Sequence, residues 1–119
     1  MRKVLICDDS PAELANLNGI LTDAGWQTLT TTSGAEAIAR AKSEKPALIL
    51  LDIMMPNMDG YEACRTLQAD AETRAIPVVF VSVKNQKADH VWAKLQGAKA
   101  LIGKPYTPDQ IFEAVKAYA

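Results

Sequence analysis

Apolar residues are distributed along this chain in two alternating rhythms. Short, nearly unbroken runs occupy Lys3–Cys7, Ala47–Leu51, Pro77–Val81 and Lys99–Ile102, and a threonine-rich stretch of β-formers occupies Trp26–Thr32. Between them, apolar residues recur every third or fourth position, the spacing that gives a helix one buried face. A continuous run shows no polar side to water, so each reads as a strand covered on both faces. Trp26–Thr32 is the weakest strand of the five, resting on threonine and β-formers.

The intervening segments carry helix punctuation. Ser10-Pro11 with Glu13, Ser33 with Glu36, Asp59 with Glu62, and Thr107-Pro108 with Gln110 each combine an N-cap side chain with an acid or amide three residues on. The first helix carries Leu14, Leu17, Ile20, Leu21 and Ala24 and ends at Gly25; the second carries Ala37, Ile38 and Ala41 and is broken by Lys45-Pro46. The third carries Tyr61, Cys64 and Leu67 and is expected to fray into Asp70–Ala75. A fourth runs through Val91, Trp92 and Leu95 to Gly97, and the last has Ile111, Phe112, Val115 and Tyr118 as its apolar side. Five strands alternating with five helices predict a doubly wound α/β sandwich with a parallel sheet.

Composition narrows the picture. A chain of 119 residues is the length of one domain, so residues 1–119 are expected to form a single domain with no effector region. Thirteen basic against fourteen acidic residues, without a basic run, disfavour nucleic acid as a partner. The start is too short in apolar residues for a signal segment and no stretch could span a bilayer, so the expected location is the cytoplasm. Cys7 and Cys64 have no histidine near them and are expected to be buried, reduced thiols.

Five polar residues stand out because the predicted topology gathers them. Asp8 and Asp9 follow the first strand, Asp52 the third and Lys104 the fifth, and Ser82 ends the fourth. Ligands of an open parallel sheet collect at that carboxyl edge. Each residue alone has an ordinary explanation, as a cap, a turn residue or a solvated lysine. All of these would have to hold at once on one edge. Three gathered carboxylates must hold protons or a cation, and all-oxygen ligation with few protein ligands suits Mg²⁺. A lysine and a hydroxyl facing such an ion suit phosphoryl oxygens, which makes Asp52 a candidate nucleophile on phosphorus.

These residues carry a resemblance. Cys7-Asp8-Asp9-Ser10, Asp52-Ile53-Met54-Met55-Pro56-Asn57-Met58-Asp59-Gly60, Ser82 and Lys104-Pro105 make the chain similar, over essentially its whole length, to bacterial response-regulator receiver domains of the chemotaxis-regulator type. The resemblance implies a flavodoxin-like sheet in strand order 2-1-3-4-5. It implies that Asp52 accepts a phosphoryl group from the phosphohistidine of a sensor kinase or its phosphotransfer domain. Asp9, Asp52 and the Met54 main-chain carbonyl would ligate Mg²⁺, or Mn²⁺ in its place, with Asp8 acting through metal-bound water. Ser82 and Lys104 would each hold a phosphoryl oxygen, and Lys104-Pro105 resembles the family's cis-proline turn.

Two positions depart from the pattern: Leu101 stands where the family usually has an aromatic switch residue, and Val83 where it has a small one. Differently wired activation is the consequence expected. Met54 and Lys84 occupy positions that tune dephosphorylation in the family. Lys84-Asn85-Gln86, Asp89, Val91-Trp92 and Gln96-Gly97-Ala98 further resemble the small receivers of twitching-motility systems, the PilH type. The implied output is a protein bound, by a monomer, at the face of the fourth helix, fifth strand and fifth helix. Two other readings stay open: a phosphate sink for a shared kinase, and an aspartate-nucleophile phosphatase. The phosphatase usually needs a second acid where Met54 stands. Trp92 is expected as a packing or surface residue, or a partner anchor, and His90 as a solvated one.

Overall fold

A computed structural model describes residues 2–119. The chain alternates strand and helix throughout: β1 Lys3–Cys7, α1 Pro11–Asp23, β2 Gln27–Thr31, α2 Gly34–Glu44, β3 Leu48–Leu51, α3 Gly60–Ala69, β4 Val78–Ser82, α4 Lys87–Leu95, β5 Ala100–Gly103 and α5 Pro108–Tyr118. The strands form one parallel sheet in the order β2-β1-β3-β4-β5, as expected.

Successive strand residues point to opposite faces, which divides the core in two. Leu5, Cys7, Ile49, Leu51, Val78 and Phe80 pack toward α2, α3 and α4, while Val4, Ile6, Leu48, Leu50, Val79 and Val81 pack toward α1 and α5. The central strands β1, β3 and β4 are buried on both faces, which is why their sequences do not alternate, whereas the edge strand β2 leaves Gln27 and Thr30 exposed.

Helix starts follow the sequence signals. The Ser10, Ser33, Asp59 and Thr107 side chains each accept the N–H three residues on. Of these four, Thr107 and Gln110 alone close a reciprocal box, Gln110 Oε1 accepting the Thr107 N–H. Glu36 instead accepts from the Thr32 N–H, and Glu13 reaches toward Lys104.

Three expectations need correction. Strand β2 is shorter than Trp26–Thr32, and Trp26 packs against the α1/α5 core from outside it. Asp70–Ala75 does not fray: the Thr73 hydroxyl, fully buried, donates to the Leu67 carbonyl, and Asp70 accepts the Glu72 N–H and pairs with Lys42. Finally, Val91 and Leu95 on α4 and Phe112 and Tyr118 on α5 do not form core but remain substantially exposed, while the exposure of Trp92 agrees with its reading as a surface residue. Asp89 and Ala93 turn inward on α4 instead, as Ile111, Ala114 and Val115 do on α5.

Candidate functional site

Strand register brings the acidic residues together. Cys7 pairs with Leu51, so the residues that follow, Asp8 and Asp52, emerge side by side at the carboxyl edge. Ser82 pairs with Gly103, which places Lys104 directly beyond it. One carboxylate oxygen from each of Asp8, Asp9 and Asp52 can lie within 4.8 Å of the others, a set able to hold a metal ion. Asp8 and Asp52 are buried and Asp9 is exposed, so the cluster opens to solvent on one side only.

The two buried carboxylates are held rigidly. Asp8 Oδ1 accepts the Ser10 N–H at 2.9 Å, and Asp52 Oδ1 accepts the Ile53 N–H at 2.7 Å. Their remaining oxygens share the Lys104 ammonium, 2.6 Å from Asp8 Oδ2 and 3.4 Å from Asp52 Oδ2, with Glu13 Oε2 at 3.7 Å. Lys104 follows a strand end and precedes a cis peptide bond to Pro105. The Ser82 side chain is fully buried, and its Oγ accepts the Lys84 N–H at 3.2 Å. Gly60 starts α3 where a Cβ would come within 2.2 Å of the Asp52 carbonyl oxygen. Only glycine lets α3 begin this close beneath Asp52.

Electrostatics follow from burial. Burial pushes the Asp52 carboxyl above its ordinary range; Lys104, the Ser82 hydroxyl and the Ile53 N–H pull it back, while Asp8 adds to the rise. Burial works to lower the Lys104 ammonium, but Asp8 and Asp52 more than offset it and the group ends above its ordinary value. The result is a lysine kept charged beside a carboxylate under strain from its neighbours. A positive charge already sits where further negative charge could be received.

The sequence profile of the response regulator receiver domain matches residues 4–116. The chain belongs to the response regulator receiver family. Protein PilH of Pseudomonas aeruginosa is 42% identical to this receiver over 117 residues, 98% of this chain and 97% of PilH. Among solved structures, the Vibrio cholerae chemotaxis protein CheY4 superposes with a TM-score of 0.93 at 26% identity, covering 100% of this chain and 99% of that one. The signal receiver domain of a histidine kinase from Syntrophus aciditrophicus does so with a TM-score of 0.88 at 34% identity, over 98% and 89% of the two chains.

The receiver brings Asp8, Asp9, Asp52, Ser82 and Lys104 to one edge, as their places in the sequence predict. Met54 and Val83 stand exposed at its rim. Lys84 also reaches away from the cleft, to Asp89 on α4 at 3.2 Å. Leu101 is buried in the core on the α3/α4 side. Cys7 and Cys64 are buried free thiols, each pushed up to about 11, chiefly by burial. His90 is exposed on α4.

Sequence reasoning missed two partners. Glu13 was read as a capping acid and also faces Lys104, and Tyr61, in the core as its place on α3 implies, also donates its hydroxyl to Asp89 at 3.1 Å. Asp89 carried a detectable signal. It is an acid three residues after Gln86, and it does cap that residue, accepting the Gln86 N–H at 3.0 Å. Among the described residues no helix is long and apolar enough to cross a membrane.

Proposed function

We propose that this receiver is a phosphoryl-accepting switch in which the Asp52 carboxylate takes a phosphoryl group from the phosphohistidine of a sensor kinase or its phosphotransfer domain. The observation that carries this reading is the shared ammonium: Lys104 lies between the buried Asp8 and Asp52 carboxylates at the open end of the sheet. In the transfer, a carboxylate oxygen of Asp52 forms the new P–O bond as the P–N bond of the donor breaks. The imidazole leaves with the electron pair. Asp52 is positioned for this because the Ile53 N–H fixes its rotation. Lys104 can then pair with a phosphoryl oxygen and Ser82 can donate to another. Water later hydrolyses the acyl phosphate and restores the carboxylate.

The donor set fits Mg²⁺, or Mn²⁺ in its place: Asp8, Asp9 and Asp52 offer hard oxygens and no sulfur or nitrogen. Asp9, Asp52 and the Met54 carbonyl would hold the ion, with Asp8 acting through its water. Bound there, it would neutralise charge on the carboxylates and the phosphoryl oxygens.

The output is protein binding by a monomer, at the face of α4, β5 and α5, in a cytoplasmic regulator of pilus-driven motility or taxis. The exposed Val91, Trp92 and Leu95 support a recognition surface over a phosphate sink, which needs no output face. Met54, two residues after Asp52, carries no titratable group and so argues against a phosphatase, which needs an acid there.

Incubation with acetyl phosphate and Mg²⁺ followed by intact mass measurement tests the proposal. One phosphoryl group per chain is expected, lost in Asp52→Asn and on removal of the ion by chelation. Sustained turnover of small phosphate esters would overturn it.

A further inference from the structure

Polar contacts hold α4 in place where the other helices rely on apolar ones. Its inward positions are Asp89 and Ala93, followed by the capping residue Gln96. At the C-terminal end the Arg65 guanidinium donates to Gln96 Oε1 at 3.0 Å and the Cys64 thiol to the Gln96 carbonyl at 3.4 Å. At the N-terminal end Asp89, only 8% exposed, collects three donors: the Tyr61 hydroxyl at 3.1 Å, the Gln86 N–H at 3.0 Å and the Lys84 ammonium at 3.2 Å. Burial works to raise the Asp89 carboxyl, but the three donors together hold it below its ordinary range.

One residue of this cluster also belongs to the acidic cleft. The Lys84 N–H donates to Ser82 Oγ, while its ammonium reaches Asp89. On the far side, the Tyr61 ring stands edge-on to Phe80, with centroids 5.4 Å apart, and to Trp92, 6.4 Å apart. A continuous set of contacts therefore runs from Ser82 through Lys84, Asp89 and Tyr61 to the exposed indole of α4.

We propose that Tyr61, Asp89 and Lys84 form a latch that fixes the start of α4 in the unphosphorylated receiver. Phosphorylation at Asp52 releases it, and α4 swings about its Gln96 end and presents Trp92 differently. The inference rests on the phosphoryl-accepting reading above and supplies its means of signalling. A phosphoryl group at Asp52 is a strong acceptor for nearby donors, and on this side of the cleft these are the buried Ser82 hydroxyl and the Lys84 ammonium two residues on. The Lys84 side chain is 46% exposed and borders an open cleft of about 490 Å³ with Met54, Met55 and Tyr61, so it can turn without displacing core atoms.

Once Lys84 turns, Asp89 is a buried carboxylate without its cation. Such a group is costly to keep in place, and the response open to it is outward movement of the first turn of α4. That movement breaks the Tyr61 hydrogen bond and shifts Trp92 against the ring. The other end of the helix stays tied by Arg65 and Gln96. Leu101, buried on β5, has no polar atom with which to take part. Tyr61 is therefore the aromatic residue on this side of the sheet that can sense the change. It acts as a positioning residue and touches no reacting atom.

Trp92 provides the readout once Trp26, the other of two tryptophans, is replaced by Phe. In that background the chain is titrated with beryllofluoride in Mg²⁺, following Trp92 emission and, independently, bound beryllofluoride by fluorine NMR. Emission is expected to change in step with binding. Because the latch opposes the bound state, Tyr61→Phe and Asp89→Asn should lower the half-saturating beryllofluoride concentration, by roughly fivefold to tenfold. They should also move the starting emission toward the bound value.

A purely structural role for the cluster would leave binding unchanged or weaken it, and either result in variants that keep the native circular dichroism overturns the latch. Binding without any change at Trp92 overturns it as well. No bound beryllofluoride and no acyl phosphate in the unsubstituted chain would instead sink the phosphoryl-accepting reading, and the latch with it. Tyr61→Phe keeps the ring and Asp89→Asn keeps the shape, so loss of fold in one leaves the other to decide.

Discussion

Helices α3 and α4 cover the same face of the sheet with similar amphipathic sequences, yet they are held by different forces. Helix α3 buries Tyr61, Ala63, Cys64 and Leu67. Helix α4 turns Val91, Trp92 and Leu95 to solvent and buries Asp89 and Ala93. Burial of apolar area is strong and insensitive to direction, so α3 is fixed wherever its leucine fits. Hydrogen bonds and ion pairs are worth less net and depend steeply on geometry. A helix held by them can be released by moving one donor. The contrast marks α3 as scaffold and α4 as the element able to respond.

The sharpest test of that contrast is a pair of truncations. Leu67→Ala removes a fully buried side chain and should cost about 3 kcal/mol of unfolding free energy, whereas Leu95→Ala, mostly exposed, should cost less than about 0.5 kcal/mol. Urea denaturation measures both, and similar losses would erase the distinction between the two helices.

Lys104→Met applies the same logic to the cleft. It should cost roughly 2 kcal/mol at neutral pH by leaving Asp8 and Asp52 to repel each other. The loss should shrink on acidification or on adding Mg²⁺, both seen in thermal melts. Arg65→Met removes one tie at the fixed end of α4 and should cost about 1 kcal/mol. In addition, α4 amides should exchange faster while α3 amides do not; equal acceleration in both helices would break the comparison.

Asp52→Asn gives a pH test with a definite sign. Burial raises the Asp52 carboxyl in the folded chain, so the native state holds its proton to higher pH than the unfolded chain does. The stability this contributes is full below the unfolded value and is lost as pH rises through the raised one. The asparagine variant should therefore gain on the parent as pH rises through that window. A melting-temperature difference that does not vary with pH would contradict the assignment. The smallest effect on stability is expected at the rim, where exchanging Met54 or Lys84 should change acyl-phosphate lifetime more than melting temperature. Time-resolved intact mass follows the lifetime, and unchanged decay in both variants would count against a tuning role.

The cleft was largely legible because each of its residues sits at a strand end. Once alternating strands and helices imply a parallel sheet, the positions of Asp8, Asp52, Ser82 and Lys104 follow from chain order and register. Leu48–Leu51 is apolar on both sides for the same reason, and it marked Asp52 as misplaced unless it had a function. The α4 region was not legible. Val91, Trp92 and Leu95 have helical spacing, and spacing alone cannot say which side of a helix meets the sheet. The partners of Glu13 and Tyr61 were hidden in the same way: Tyr61 is in the core as its position implies, but neither its hydroxyl bond to Asp89 nor the approach of Glu13 to Lys104 follows from local spacing.

By itself, then, the sequence determined the architecture, the helix starts and the membership of the acidic edge, because these depend on local periodicity and on residue order. Tertiary structure decided which face of α4 turns inward, that Lys104 lies between two carboxylates, and that Tyr61 meets Asp89. Those outcomes depend on contacts between residues far apart in the chain, such as Tyr61 with Asp89 and Lys104 with Asp8 and Asp52. No local pattern encodes them.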